Sequence, residues 1–582
     1  MKKSRIKKEI DDYIKAQKKA LKSITKKRVL HAIRRTSIAI CIMVVIIYLI
    51  NISPNYIVEK ITKKTKVIIN NNNVTSSLRS DIFIDDNENV YMSTADINNF
   101  FDEYLIQDEN EIITTSNTKT VRISKSSNIM NVNNKNEEME KAIYYDGSKV
   151  FLPIETIENI YGIEARYNKE KDTLVFESLN RKKVTAKVKE DTTIKYKSTQ
   201  ISRTLEKVKK DDEVTLIFDK NKDSYIESNG WIKVNSKTGT IGFIQRSKLE
   251  EETVIREGEK ENRIDGKVSL VWDYYNPSEI CPTRTEPING VNVVSPSFYD
   301  LRENGIVSSN VGSSGMQYIE WAHKNGYEVW PTISNGFLNS LDAMSSMMRS
   351  FDSRANLINN IMAELDKVNV EGISIDFENM YKEDKEKFSR FLIELAPRLQ
   401  DKNIKLNVCL TAPDGADTWS LCYDRYTIGK VADYVVFIGY DQTVGSSQVA
   451  GTVAGYDWDE LNISKFIGQE GISKKKVILA VPFYTRLWEE KDGKVISTRV
   501  VNMNNVYIPE DAKVEWDSVR KQNYMTYTRE GSTFKMWIED DASVKEKLNL
   551  VEKYKIAGAG FWEKDREKDD IWNVISEKLQ VK

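Results

Sequence analysis

The chain has 582 residues, 40% of them hydrophobic and 30% charged, which is too long for one core and too apolar for a disordered polymer. Its net charge of −1 conceals a division: residues 1–35 hold 14 Lys and Arg against 3 Asp and Glu, +11, while the remainder carries −12. A basic head on an acidic body points to membrane topology rather than nucleic acid, so no nucleic-acid partner is expected.

In chain order, residues 1–35 read as a basic cytoplasmic leader. Ile6, Ile10, Ile14 and Leu21 recur at helical spacing, which suits either a helix lying on anionic lipid or a solvated positive flank. Residues 36–58 contain no charged side chain. At about 1.5 Å per residue these positions are long enough for a ~30 Å hydrocarbon core, and a transmembrane anchor is predicted there. Lys26, Lys27, Arg28, Arg34 and Arg35 precede it, so the positive-inside rule puts the N-terminus in the cytoplasm and the body outside, as a single-pass protein of the cell membrane. A cleaved signal peptide is the rival reading, but no A-x-A-like site follows. Residues 59–77, with Asn70–Asn73 in a row, read as a linker.

Residues 78–180 contain an internal echo at an offset of 60. Val90-Tyr91-Met92 followed by Ile97, Phe100 and Phe101 mirrors Val150-Phe151-Leu152 followed by Ile157, Ile160 and Tyr161. Each copy predicts a short strand running into a short helix, in the second with Asp146-Gly147 as a hairpin turn, Pro153 opening the helix and Gly162 closing it. This pattern resembles the copper amine oxidase N-terminal-like domain of bacterial wall proteins and implies a small α+β domain. The segment has no His or Cys, so no copper is implied, and the module is read as structural or wall-binding. Residues 181–252 turn to short β-rich runs. Their ending, Gly230-Trp231-Ile232-Lys233-Val234 then Thr240-Ile241-Gly242-Phe243-Ile244, resembles a bacterial SH3 domain. That resemblance implies a small β-barrel gripping peptidoglycan, with Trp231 either in its core or lining a peptide groove.

Four cysteines without a C-x-x-C pair and only two histidines leave little material for a disulfide framework, a His-ligated zinc site or a Ser-His-Asp triad. No metal and no cofactor are predicted, and chemistry must run on carboxylates, hydroxyls and aromatics. Over residues 264–582 strand and helix patterns alternate. Apolar β-rich runs fall at Val268–Trp272, Val291–Val294, Glu328–Ile333, Gly372–Phe377, Ile404–Leu410, Tyr434–Ile438, Val477–Pro482 and Ile556–Phe561. Phe388, Phe391, Leu392, Leu395 and Leu399 mark one helix between them by their spacing. Eight such strands predict an α/β fold, a (β/α)8 TIM barrel, with the longest insertion, Arg486 to about Val544, large enough for a small subdomain.

The segment Glu371-Gly372-Ile373-Ser374-Ile375-Asp376-Phe377-Glu378 carries the chemistry. Alternation on a strand turns Ile373, Ile375 and Phe377 toward the helices, and Gly372, Ser374, Asp376 and Glu378 toward the barrel axis. Two carboxylates at a strand end sit on the face where barrel active sites lie. Like charges at that range, in low dielectric, raise one pKa enough for a general acid. A charged strand end or a salt bridge to a neighbouring Lys is the bland alternative.

That octet resembles the D-G-x-D-x-D-x-E signature of family 18 glycoside hydrolases, in particular the bacterial spore- and wall-associated members. Tyr440-Asp441, Val481-Pro482-Phe483-Tyr484 and Gly558-Ala559-Gly560-Phe561-Trp562 are similar to that family's sixth-, seventh- and eighth-strand ends. The resemblance implies retaining hydrolysis of β-1,4 bonds beside N-acetylglucosamine, with the substrate's acetamide as nucleophile. It implies Glu378 as acid and then base, Asp376 and Tyr440 as holders of the acetamide, Asp441 on a sugar hydroxyl and Trp562 as the sugar's stacking floor. Trp562 as plain core is the alternative. Ser374 stands where the family has a second Asp, a substrate-side position that cannot relay a proton to Asp376. The expected substrate is peptidoglycan or another N-acetylglucosamine polymer, with a chitinase or a non-catalytic glycan-binding barrel as alternatives.

Overall fold

The structure, a computed structural model, describes residues 2–51, 64–219, 224–258 and 262–581. It divides into two compact units, Met1–Ile97 with Ile143–Glu259, and Asn98–Ala142 with Lys260–Lys582.

The first unit opens with a helix over Lys2–Asn51. The membrane anchor expected over 36–58, and with it the single-pass placement in the cell membrane, is not found: among the described residues no helix is long and apolar enough to cross a membrane. The physical reason is length. Charges run as far as Arg35, so the uncharged portion of the described helix, 36–51, rises only ~24 Å at 1.5 Å per residue, short of the ~30 Å required. Residues 52–58 of the expected span lie outside the described residues. Downstream, Tyr144–Asp146 and Lys149–Pro153 form a hairpin that leads into the helix Ile154–Tyr161. Gly162 ends that helix at φ 58°, its N–H donating to Glu158 O at 3.0 Å, a left-handed cap that glycine adopts without Cβ strain. Strands within 183–216 and 227–256 form an antiparallel sheet around buried Val184, Val188, Ile194, Val214, Ile232, Val234 and Ile244.

The second unit is built on eight parallel strands: β1 (Val268–Asp273), β2 (Val293–Pro296), β3 in two pieces (Glu328–Val329 and Thr332–Ser334), β4 (Gly372–Asp376), β5 (Lys405–Leu410), β6 (Tyr434–Ile438), β7 (Val477–Pro482) and β8 (Gly558–Trp562). β3 breaks at Trp330-Pro331 because proline brings no N–H to a ladder. The strands pair in sequence order, and β8 pairs with both β7 and β1, so the barrel is closed. Closure removes every sheet edge, and the near-continuous Val, Ile and Leu runs reflect burial on both faces.

Side chains sort by parity. Ile373, Ile375 and Phe377 are fully buried in the outer layer with helix residues such as Phe388, Phe391 and Leu395. Val268, Leu270, Trp272, Trp330, Tyr434, Val436 and Ile478 fill the interior. Gly372 faces that interior, where a Cβ would stand 2.5 Å from the Trp330 ring, so a bare backbone makes room for the tryptophan. The helices that matter below are α1 (Gly312–Lys324), α2 (Leu341–Met348), α3 (Phe351–Leu365) and α4 (Lys385–Gln400). Between β7 and β8 a five-stranded antiparallel sheet spans Tyr484–Ile538. A second five-stranded meander, from Ile106–Gln107 to Lys135–Glu138, lies within 78–180 in sequence but packs with the barrel. Thr120 Oγ1 donates to Glu394 O at 2.7 Å, and Arg122 pairs with Asp352 at 2.7 Å.

Candidate active site

The site is assembled at the C-terminal ends of the barrel strands. β4 delivers Asp376 as its last residue, and Glu378 follows two positions on. Both keep a narrow solvent contact at the barrel mouth, yet protein surrounds them closely enough for desolvation to dominate. Burial pushes the Asp376 carboxyl up to about 6. Glu378 is driven well above the ordinary carboxylate range by burial, then by the charges of Asp376 and Asp441. The ionised form loses water's solvation and meets like charge, so the proton is retained on the outer carboxyl.

The backbone of Glu378 is clamped. Its N–H donates to Asn335 Oδ1 at 2.9 Å, and its carbonyl accepts from Asn335 Nδ2 at 2.7 Å. Asn335 follows β3 directly and is 9% exposed. The carbonyl just before, that of Phe377, accepts from the buried Tyr423 hydroxyl at 2.8 Å. Neither clamp was visible in sequence: Asn335 is a lone polar residue at the end of β3 and Tyr423 lies in the long loop after β5, neither with a spacing signal.

Around the carboxylates stand aromatic and polar groups from β6, β7 and β8. Tyr440, two residues past β6, has its phenol held well above its ordinary value by burial and then by Asp376, Tyr484 and Glu378. It therefore stays an O–H donor at neutral pH. Its ring lies 6.3 Å from that of Trp562, inclined by 29°. Trp562 ends β8 and also meets Trp272 at 6.0 Å and Tyr274 at 5.7 Å, centroid to centroid. Asp441 adopts φ 57°, a conformation Asp tolerates better than most residues. Its Oδ1 accepts from the Tyr484 hydroxyl at 2.8 Å and from Arg486 Nη2 at 3.1 Å. Asp376, Glu378, Tyr440, Asp441 and Trp562 thus converge on one mouth. Ser374 does not reach it. It is fully buried below Asp376, its Oγ accepting from Asn407 Nδ2 at 2.8 Å.

Four further groups at this mouth were not singled out beforehand. Tyr484 and Arg486 orient Asp441, and of these only Tyr484 belonged to a recognisable motif. Glu563, directly after Trp562, is 5% exposed and paired with Arg566 at 2.5 Å. Burial raises its carboxyl to about 7 against the opposing pull of Arg566. Arg284 ties the rim together, donating from Nε and Nη2 to Asp273 at the end of β1 (2.9 and 2.7 Å) and from Nη1 and Nη2 to Asp565 just past β8 (3.0 and 2.7 Å). Among the described residues no cluster of three or more metal-ligating side chains occurs.

The constellation suits acid–base chemistry on a ligand with an apolar face: a protonated carboxyl beside an ionisable one, a phenol donor and an aromatic floor. The chain is similar to several known proteins. The chain is 27% identical over 297 residues to the uncharacterized glycosylase YvbX of Bacillus subtilis, a match covering 49% of this chain and 84% of that protein. It is 24% identical over 325 residues to the cortical fragment-lytic enzyme of Bacillus anthracis, covering 53% of this chain and 74% of the relative. The crystal structure of the C-terminal domain of a putative chitinase from Desulfitobacterium hafniense is 21% identical with a TM-score of 0.47, covering 54% of this chain and 100% of that one. Residues 271–567, half of the chain, match the glycosyl hydrolases family 18, and the chain belongs to that family of glycoside hydrolases.

Proposed function

We propose that the chain hydrolyses the β-1,4 bond beside N-acetylglucosamine in peptidoglycan, with retention and with the substrate's acetamide as nucleophile. The observation that carries this reading is the Asp376–Glu378 pair at the end of β4, with the outer carboxyl held protonated by burial and like charge. Glu378 donates its proton to the glycosidic oxygen as the C1–O bond breaks and the acetamide oxygen closes on C1. Asp376 holds the acetamide N–H and offsets the positive charge of the ring so formed. The Tyr440 hydroxyl donates to the acetamide oxygen. Water then attacks C1, with Glu378, now ionised, taking its proton. Trp562 supports the sugar's apolar face, while Asp441, fixed by Tyr484 and Arg486, takes a sugar hydroxyl.

Peptidoglycan as the substrate is supported by the names of two relatives, the cortical fragment-lytic enzyme and a putative sporulation-specific glycosylase of Bacillus subtilis that is 26% identical over 277 residues. The test is digestion of purified peptidoglycan, with mass spectrometry of the new reducing ends and chitin oligosaccharide as comparator. N-acetylglucosamine ends that vanish in Glu378→Gln support the reading. Muramic acid ends, cleavage of chitin alone, or undiminished hydrolysis by the variant overturn it.

A further inference from the structure

A second concave surface lies away from the strand ends, on the helical flank of the barrel. It is a groove of about 480 Å³ between the five-stranded meander and helices α3 and α4, within the size range of sites that hold small ligands. The meander is fastened there by Thr120 to Glu394, by Arg122 to Asp352, by the Arg390 guanidinium to Tyr104 O, and by Lys430 to Glu103 at 3.2 Å. Beneath the groove Glu394 is fully buried, held bidentately by Arg354 at 2.8 Å and by Arg390 at 2.7 Å. The floor is therefore held firmly, two guanidinium groups on one carboxylate leaving it a net positive charge.

The lining combines three kinds of surface. The meander contributes amides and hydroxyls, among them Asn131, Asn134 and Ser127. Phe351, with the Arg122 guanidinium 5.2 Å above its ring centre, and Ile129, 49% exposed, supply an apolar patch. Arg398 supplies a cation. Arg122 is neutralised by Glu111 at 2.5 Å and Asp352 at 2.7 Å. Arg398 donates only to the Asn359 amide oxygen, at 3.1 Å, and among the described residues makes no ion pair. Burial pulls the guanidinium below its ordinary value against the opposing charges of Asp401 and Asp366, neither of which bonds it. A half-buried guanidinium presents a planar fork that matches a carboxylate. Amides and hydroxyls match sugar hydroxyls, and an aromatic edge matches the C–H face of a pyranose.

We propose that this groove is a second glycan site, binding a carboxylate-bearing sugar–peptide unit of the wall polymer through Arg398 while the strand-end site works on another part of the strand. The carboxylate-bearing ligand rests on the peptidoglycan reading above, but its test scores binding and not hydrolysis, so either can fail without the other. Full-length protein in the Glu378→Gln background is co-sedimented with purified peptidoglycan sacculi and with sacculi whose carboxylates have been amidated. Arg398→Ala is expected to weaken binding to native sacculi roughly tenfold, the scale of one charge-assisted hydrogen bond, and to leave binding to amidated sacculi unchanged. Unaltered binding to native sacculi, or equal loss on both, overturns the proposal. If Arg398→Ala loses its cooperative thermal transition, Ser127→Trp, which fills the groove from an exposed turn, decides. Weakened binding to native sacculi sustains the site, and full binding overturns it.

Discussion

Asn335→Ala is the most informative single change outside the carboxylates themselves. It removes both bonds that fix the Glu378 backbone, at 2.9 and 2.7 Å, and leaves a peptide N–H and C=O unpaired at a partly buried strand end. At about 0.5–1.5 kcal/mol net per hydrogen bond the loss is about 1–3 kcal/mol. Part of it appears as stability and part as freedom of the acid to wander. A misplacement near 1 Å costs on the order of 100-fold in rate, so kcat on a soluble oligosaccharide is expected to fall about 10–100-fold. KM should change less than threefold, because Trp562, Tyr440 and Asp441 do not touch Asn335. The assay is steady-state hydrolysis across pH 4–8, paired with thermal melting. A merely structural role would lower the melting temperature and leave kcat of the folded fraction intact. If kcat stays within twofold of the parent while the acidic and basic limbs of the pH profile are unmoved, the clamp has no part in positioning Glu378.

Two more outcomes follow from burial and packing. Asp376 has its folded pKa raised to about 6 by burial, so the native state holds its proton more tightly than the unfolded chain, and stability attributable to this group falls as pH rises from about 4 through 6. Asp376→Asn should therefore stabilise the protein by about 1–3 kcal/mol at pH 7 and change it little at pH 4. Denaturant melts at the two pH values check this, and equal effects at both refute it. Gly372→Ala brings a methyl to 2.5 Å from Trp330 and is expected to cost about 1–3 kcal/mol by overpacking. An unchanged denaturation midpoint would mean that Trp330 swings aside freely.

The barrel was legible because its information is local and periodic. Ile373, Ile375 and Phe377 alternate with Ser374 and Asp376, and period two alone assigns each set to its side of the wall. The acid pair was legible for the same reason: once the strand is read, Asp376 and Glu378 share a face at its end. What escaped is what depends on a partner far along the chain. Asn335 is an ordinary residue in a turn until β3 lies beside β4, and Arg486 reads as the start of an insertion until it meets Asp441. The helix at the N-terminus shows a different failure. A run without charge was counted to Val58, whereas among the described residues no helix is long and apolar enough to cross a membrane; composition measures apolarity but not helix extent. The meander shows a third. Nothing in Thr120 or Arg122 names the helix residues they bond, Glu394 and Asp352.

The seam between β1 and β8 also sets a timetable. Val268 pairs with Gly558, so the first barrel strand must wait for a partner some 290 residues behind it, roughly 15–60 s at the usual pace of synthesis. Until then the backbone groups on that side of β1 are unpaired, the Arg284 bridge has no Asp565 to hold, and Trp562 has not been made. A nascent chain is thus without a working mouth for nearly the whole of its birth, carries a sticky edge over the same interval, and becomes both sealed and competent in one late event.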